Sequence, residues 1–414
     1  MEYFMAKIMA VNAGSSSLKF QLLEMPAEEV IAQGLVERIG MEDAIFTIKF
    51  AANEKADSNE NVSVKGQKAK FQKVTPIKDH SVAINMMLEE LSNLDIISDF
   101  NEIVGVGHRV VAGGEYFDKS VLINEDVLAK IDELADYAPL HNPANAMGIR
   151  VFQKLLPKAT EVAVFDTSFH QTMPKVNYLY SLPYKYYEKY GARKYGAHGT
   201  SHRYVAGKAA ELLGQPIEDL KLITLHLGAG ASITAVKHGK SFDTSMGFTP
   251  LAGVTMATRS GDVDPSLVSF IQDKENLSND EMLTILNKQS GLQGISELSS
   301  DMRDLRAARQ ENDKAELAID IFVDRVVSYI GQYVAKMDGA DAIVFTAGIG
   351  ENADWVREEV TARLGYLGIK IDPQKNDGCT EEADISAADA KIKTLVVPTD
   401  EELMIARDVQ SLMK

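Results

Sequence analysis

"VNAGSSSLKF", Val11 to Phe20, breaks an apolar stretch with Asn12, Gly14 and three serines, then resumes at once with Leu18, Lys19 and Phe20. The flanks, Ile8 to Asn12 and Leu18 to Leu23, read as two short strands joined by the Gly-Ser turn. Such a turn lets several backbone N–H groups converge on one point, which suits phosphate oxygens. Ser15, Ser16 and Ser17 add hydroxyl donors, and Lys19 adds a charge. Alone this is only a Gly-Ser-rich hairpin, and its weight comes from recurrence. "LITLHLGAGASITAV", Leu222 to Val236, repeats the plan of strand, glycine turn and strand, with a hairpin signal behind it at "KHGK". A further glycine turn, in "AIVFTAGIGENADWV", leads from a strand into a helix.

The intervening chain alternates strand and helix signals. Val30 to Val36 and "AIFTIKF" read as strands, while the Gln/Lys/Asn-rich Ala51 to Lys73 reads as a surface excursion. Asp79 is placed to cap a helix running to about Leu94. Strand "EIVGVGHRVV", helices "NEDVLAKIDELADYA" and "NPANAMGIRVFQKLL", and strand "EVAVFDTSF" follow. Ala315 to Met337 carries apolar residues at helical spacing, and "KTLVVPT" with "DEELMIARDVQSLM" supplies a last strand and helix. At 414 residues the chain exceeds one hydrophobic core, so two α/β domains are expected, with the boundary close after "FDTSFH".

Composition narrows the function. Hydrophobic residues make up 45% and charged residues 25%, as in an ordinary globular protein. No run approaches the roughly 20 apolar residues of a membrane span. "MEYFMAK" has no basic or long apolar segment of an export signal, and the lone Cys379 can form no internal disulfide, so a cytoplasmic location is expected. A net charge of −17 argues against nucleic acid as a partner. It also means that a polyanionic ligand has to find its positive groups locally.

The segments "NAGSSSLKF", "GHRVVAGG", "FDTSFHQTMP", "YGAHGTSH", "LHLGAGAS", "TRSGDVDP", "FTAGIGEN" and "PTDEELMIARD" resemble, in that order, the signature segments of the acetate and propionate kinase family. The resemblance runs from Ile8 to the C-terminus. It implies two duplicated actin-like, ribonuclease H-like α/β domains with a nucleotide-binding cleft between them. One would span 1–170, completed by a C-terminal helix 403–414, and the other 171–402. The implied reaction is reversible, Mg2+-dependent transfer of the ATP γ-phosphoryl group to acetate, giving acetyl phosphate and ADP. Mn2+ would be an alternative metal, and the implied assembly is a homodimer.

Phosphorylating a carboxylate needs no strong base, because such acids titrate near 4 and are already ionised at neutral pH. The difficulty is bringing one anion to another, so the site has to neutralise charge and hold its groups in line. On the resemblance, Arg109 binds the substrate carboxylate and Arg259 meets the transferring phosphoryl group. His198 donates to its oxygens in the transition state. Asp166 matches the active-site acid and would orient an arginine and metal-bound water; a buried structural carboxylate is the competing reading. His141 either lines the acyl pocket or caps a loop. Asn12 and Glu401 match the Mg2+-linked residues, with Glu402 adjacent to the latter. For the nucleotide, the matches are Lys19, the hairpin His226, Leu227, Gly228, Ala229 and Gly230, the trio Asp301, Met302 and Arg303, and the turn Gly348, Ile349, Gly350, Glu351 and Asn352. His202, four residues after His198, reads as structural, because Gly199 stands where a zinc-protease helix needs Glu. Removing either arginine is expected to lower turnover with the fold intact.

Departures from the family pattern are Ala197, Ala229 and Ala112, where many members carry Phe, Asn and His. Ala197 is expected to enlarge the acyl pocket, which leaves propionate open as substrate. Two rivals come from other classes. "GIGENA" after a strand, with Asp372 about 20 residues on, fits a dinucleotide-binding oxidoreductase. An actin-like ATPase would share the scaffold without the arginine-lined carboxylate site.

Overall fold

The opening hairpin of this computed structural model, which describes residues 5–139 and 141–413, pairs β1 (Ala6–Ala13) with β2 (Ser17–Met25) in register Asn12↔Lys19 and Ala13↔Leu18. Residues 1–4 of the "MEYFMAK" reading and Lys414 of the expected closing helix lie outside the described residues. Gly14 N–H donates to the Ser17 carbonyl at 2.9 Å and closes the turn. Strands β3 (Glu29–Glu37) and β4 (Ala44–Ala51) extend the sheet antiparallel.

The surface-excursion reading of Ala51 to Lys73 is corrected here. β5 (Val62–Lys65) lies within it, β6 (Lys68–Thr75) starts within it and runs past its end, and the two form the sheet's edge, β6 pairing with β4. Its lysines belong to the outward face, while Ala69 and Phe71 turn into the core and Phe71 meets Phe46 edge-on at 5.4 Å. Polar composition hid a half-buried strand with period-two alternation.

β7 (Ile103–Val110) returns parallel to β1, and β9 (Thr160–Phe165) parallel to β7, with the short β8 (Val121–Leu122) on the outer edge. The order is β5-β6-β4-β3-β2-β1-β7-β9-β8. Helix His80–Asn93 starts where Asp79 accepts from Val82 N–H, and it lays Ala83, Ile84, Met87, Leu88 and Leu91 into the core. Helix Glu401–Leu412 covers β1, β7 and β9 through Ile405, Ala406 and Val409. The glycines of β7 make room for it: a Cβ on Gly107 would lie 2.3 Å from Ile405 Cγ2.

The second sheet repeats this arrangement with β10 (Lys221–Leu227), β11 (Ala231–Lys237), β12 (Lys240–Thr244), β13 (Ala342–Thr346), β14 (Ala383–Asp384) and β15 (Lys393–Val396), ordered β12-β11-β10-β13-β15-β14. β10 and β11 are antiparallel, and β10, β13 and β15 parallel. Thus β12-β11-β10-β13-β15 matches β3-β2-β1-β7-β9 in order and direction, which is duplication at the level of topology. Helix Asp313–Met337 buries Ala315, Ile319, Phe322, Val326, Ile330 and Tyr333 against this sheet's core. The oxidoreductase rival loses its acidic residue, since Asp372 accepts from Gln374 N–H to cap a four-residue helix. Contacts divide the chain into unit 1, Met1–Ser168 with Asp400–Lys414, and unit 2, Phe169–Thr399.

Candidate active site

In unit 1 the end of β7 carries Arg109 and the end of β9 leads into Asp166. Adjacent parallel strands bring them together as a two-pronged pair: Nε to Oδ1 at 2.9 Å and Nη2 to Oδ2 at 2.7 Å. Burial opposes the Arg109 charge, but Asp166, Glu401 and Glu402 outweigh it and raise the arginine above its ordinary value. Arg109 therefore stays cationic, and Asp166, 1% exposed, is both the acid at the arginine and a buried carboxylate.

Glu401 and Glu402 open helix Glu401–Leu412, capped by Asp400 accepting from Leu403 N–H at 2.8 Å. Their environments differ. Glu402 pairs with Lys19 Nζ at 2.5 Å. Glu401 is more deeply enclosed, and its buried Oε1 meets no donor among the described residues. Burial, helped by Asp166 and Glu402 and opposed by Arg109, raises its carboxyl above the usual glutamate range. Asn12 faces Lys19 across the hairpin. Among the described residues no group of three or more His, Cys, Asp or Glu side chains is set to hold a metal.

Several residues that position this half were not singled out in the sequence. His80 Nε2 lies 2.6 Å from the Gly14 carbonyl and ties the Gly-Ser turn to a helix. Asn145 donates to the Ala13 carbonyl at 2.8 Å and accepts from Val111 N–H, while Asn142 binds Ala112 at both N–H and C=O. The polar start of "NPANAMGIRV" was the available signal. His141 stands at that helix's N-cap, without a side-chain bond to the helix's first turn.

In unit 2 the hairpin turn His226–Gly230 faces the other charged group. A Cβ on Gly230 would sit 3.5 Å from both Arg259 Nη2 and His198 Nε2. Arg259 donates to the Pro250 carbonyl at 2.9 Å, makes no ion pair with a carboxylate among the described residues, and is lowered from the ordinary arginine value by burial. His198, at φ +56°, precedes helix Gly199–Leu213. Its ring stacks on His226 at 4.1 Å, and its Nδ1 lies 2.8 Å from Ser232 Oγ. His202 is wholly buried between Thr224 and Ser232; burial, with His170 and His226 adding, holds it well below the usual histidine value.

A cavity of about 930 Å3 in unit 2 brings together Gly228 and Ala229, the trio Asp301, Met302 and Arg303, and Gly348, Ile349 and Asn352. Three separate sequence segments thus share one wall. Ser300, Arg306 and Trp355 line it too and were not foreseen, Arg306 lying over the Trp355 ring at 5.1 Å. Arg303 pulls Asp301 down to about 2 through side-chain and backbone hydrogen bonds. Two expected contacts fall elsewhere. Leu227 points into the core, and Glu351 accepts from Ala347 N–H at 2.7 Å and Thr399 N–H at 3.1 Å, which holds the strand-to-helix turn. Arg357, fully buried, donates to the Gly350 and Glu351 carbonyls at 2.9 Å and fixes the same turn from behind. Ala197 belongs to the core of unit 2, so its methyl serves packing, and the expected wider acyl pocket does not follow from it.

The sequence matches the profile of the Acetokinase family over residues 7–407. It is 59% identical over 411 residues to an acetate kinase of Limosilactobacillus fermentum, covering 99% of this chain and 100% of that one. Among solved structures, a Porphyromonas gingivalis acetate kinase matches at TM-score 0.90 and 42% identity, covering 99% of this chain and 100% of that one. A Francisella tularensis propionate kinase matches at TM-score 0.89 and 41% identity with the same coverage. With the arginine pair of unit 1 and the glycine-turn cavity of unit 2 in place, these likenesses establish that the chain belongs to the acetokinase family.

Proposed function

We propose that this chain transfers the γ-phosphoryl group of ATP to acetate, reversibly, giving acetyl phosphate and ADP. The observation that carries the reading is Arg259, a largely buried guanidinium with no carboxylate partner among the described residues, at the glycine turn that it shares with His198 and that rims the nucleotide-sized cavity. A desolvated cation without a counter-charge calls for an anionic ligand. Arg259 and His198 Nε2 meet the transferring phosphoryl oxygens, and the backbone N–H groups of Ala229 and Gly230 cradle the phosphates, that of Gly228 being given to the Gly230 carbonyl. The adenosine lies in the cavity between the Asp301–Arg303 and Gly348–Asn352 segments, and Lys19 adds a positive charge at the Gly-Ser turn of unit 1.

In unit 1 Arg109, held by Asp166, keeps a free edge for the acetate carboxylate. The acetate oxygen needs no base, so Asp166 fixes the guanidinium plane and takes no proton. His141 lines the acyl pocket. The unpartnered Glu401 oxygen and the Asn12 amide are hard donors suited to Mg2+, which keeps most of its waters, and the pairing of Glu402 with Lys19 leaves Glu401 as the metal-linked carboxylate. Bound there, the metal would supply positive charge for neutralising phosphate oxygens. Mn2+ is the alternative ion, the working assembly is a homodimer, and the location is cytoplasmic; no described helix is long and apolar enough to cross a membrane.

Propionate is the second reading, favoured by the likeness to a propionate kinase. ATP turnover with acetate, propionate or butyrate, trapped by hydroxylamine as the hydroxamate, tests both. ATP hydrolysis indifferent to carboxylate would sink the kinase reading, and a higher kcat/KM for propionate would select the second.

A further inference from the structure

The Ser232 hydroxyl stands between two imidazoles, 2.8 Å from His198 Nδ1 and 2.8 Å from His202 Nε2. Behind it, His202 Nδ1 meets Thr224 Oγ1 at 2.7 Å. Ser232, His202 and Thr224 are wholly buried. The remaining contact of Thr224 Oγ1 is the Thr234 carbonyl, at 3.5 Å. Each hydroxyl has one hydrogen to give, and each neutral ring carries one. With neutral rings an unbroken chain of bonds runs in one of two directions; if Ser232 instead accepted from both rings, its own buried hydrogen would have no acceptor among the described residues.

In one direction Thr224 donates to His202 Nδ1, His202 Nε2–H donates to Ser232, and Ser232 donates to His198 Nδ1. Every bond is then 2.7 to 2.8 Å, and the single hydrogen of His198 sits on Nε2. In the reverse direction His198 donates from Nδ1, and the hydrogen of Thr224 is left to the 3.5 Å contact. The first direction satisfies the buried groups better.

We propose that Thr224, His202 and Ser232 form a relay that holds neutral His198 with its hydrogen on Nε2, the nitrogen beside Arg259 at Gly230, so that the ring donates to a phosphoryl oxygen without becoming a cation. The relay rests on the reading of His198 given above and adds His202, Ser232 and Thr224 as positioning residues. The titratable and charged groups facing the relay are His226, stacked on His198; Arg259, across Gly230; and His170, edge-on to His202 at 5.8 Å. With a guanidinium so near, a donor that needs no second positive charge avoids like-charge repulsion.

Two-bond 1H–15N correlation spectra of the full-length, histidine-labelled protein at pH 8 report the tautomers directly. Both His198 and His202 should appear protonated on Nε2, and His198 protonated on Nδ1 would overturn the relay. Thr224→Val keeps the shape and removes the donor, so kcat should fall roughly tenfold with KM for ATP and acetate little changed. Its rate should decline further as pH rises past the ordinary histidine value of about 6.5, because an unheld ring donates fully from Nε2 only as imidazolium. Thr224→Ser, which retains the hydroxyl, should restore rate and profile. A Thr224→Val enzyme with parental kcat and pH profile would also refute the relay. Absence of carboxylate-dependent turnover would instead fault the functional reading, and the spectra would still decide the tautomer.

Discussion

Two arginines that read alike in sequence stand in different electrostatic settings. Arg259 has no carboxylate to abandon among the described residues, so Arg259→Ala should cut kcat by roughly a hundredfold or more while the melting temperature barely moves. Arg109→Ala strands Asp166, 1% exposed, beside Glu401, and should cost about 3–5 kcal/mol of stability as well as activity. Urea denaturation separates the two, and this amends the expectation that both variants leave the fold untouched. Glu401 makes a pH prediction. Burial raises its carboxyl, so the folded protein binds that proton more tightly than the unfolded chain does. Stability of the ligand-free protein should therefore fall as pH rises from the unfolded glutamate value, about 4.3, through the higher folded one. Glu401→Gln should flatten that slope and raise the melting temperature at pH 7; superimposable profiles for the two proteins would contradict the assignment.

Elements place these residues by close approach. Helix Glu401–Leu412 can carry Glu401 to Arg109 only because β7 offers Gly105 and Gly107 beneath Ile405 and Val409. In Gly107→Ala the added methyl meets Ile405 at 2.3 Å and Val409 at 2.7 Å, so the helix has to lift. A loss of about 1–3 kcal/mol is expected, together with a higher Mg2+ requirement. An unchanged urea midpoint would show that the helix is not seated this way. The strand ends follow the same logic, since parallel β7 and β9 deliver Arg109 and Asp166 side by side, with Asn142 and Asn145 closing the backbone bonds that the strand ends leave open.

At the scale of the molecule, each unit has its own sheet and its own core, and the cavity assigned to the nucleotide is built wholly from unit 2. Calorimetry should resolve more than one transition. ADP should move the transition of unit 2, by about 2.7 kcal/mol at a hundredfold excess over Kd. A single transition whose calorimetric and van't Hoff enthalpies agree would mean that the units unfold together. Against the net charge of −17, each unit carries positive side chains at its own candidate site, Arg259 in unit 2 and Arg109 and Lys19 in unit 1.

The sequence by itself determined the paired hairpins, the glycine turns, the helix caps such as Asp79, and the order of motifs that marks the family. These are local signals, written by backbone geometry and hydrophobic period within a few residues. Only the tertiary structure decided that Arg109 is bound to Asp166, that Glu402 pairs with Lys19 while Glu401 keeps a buried oxygen with no donor among the described residues, and that His202 lies behind His198 through Ser232. It alone turned the lysine-rich segment Ala51 to Lys73 into sheet edge and sent Leu227 and Ala197 into the core. The reason is physical: burial and pairing depend on neighbours far away in the chain, and a side chain's charge, tautomer or packing is set by those neighbours rather than by the residues beside it.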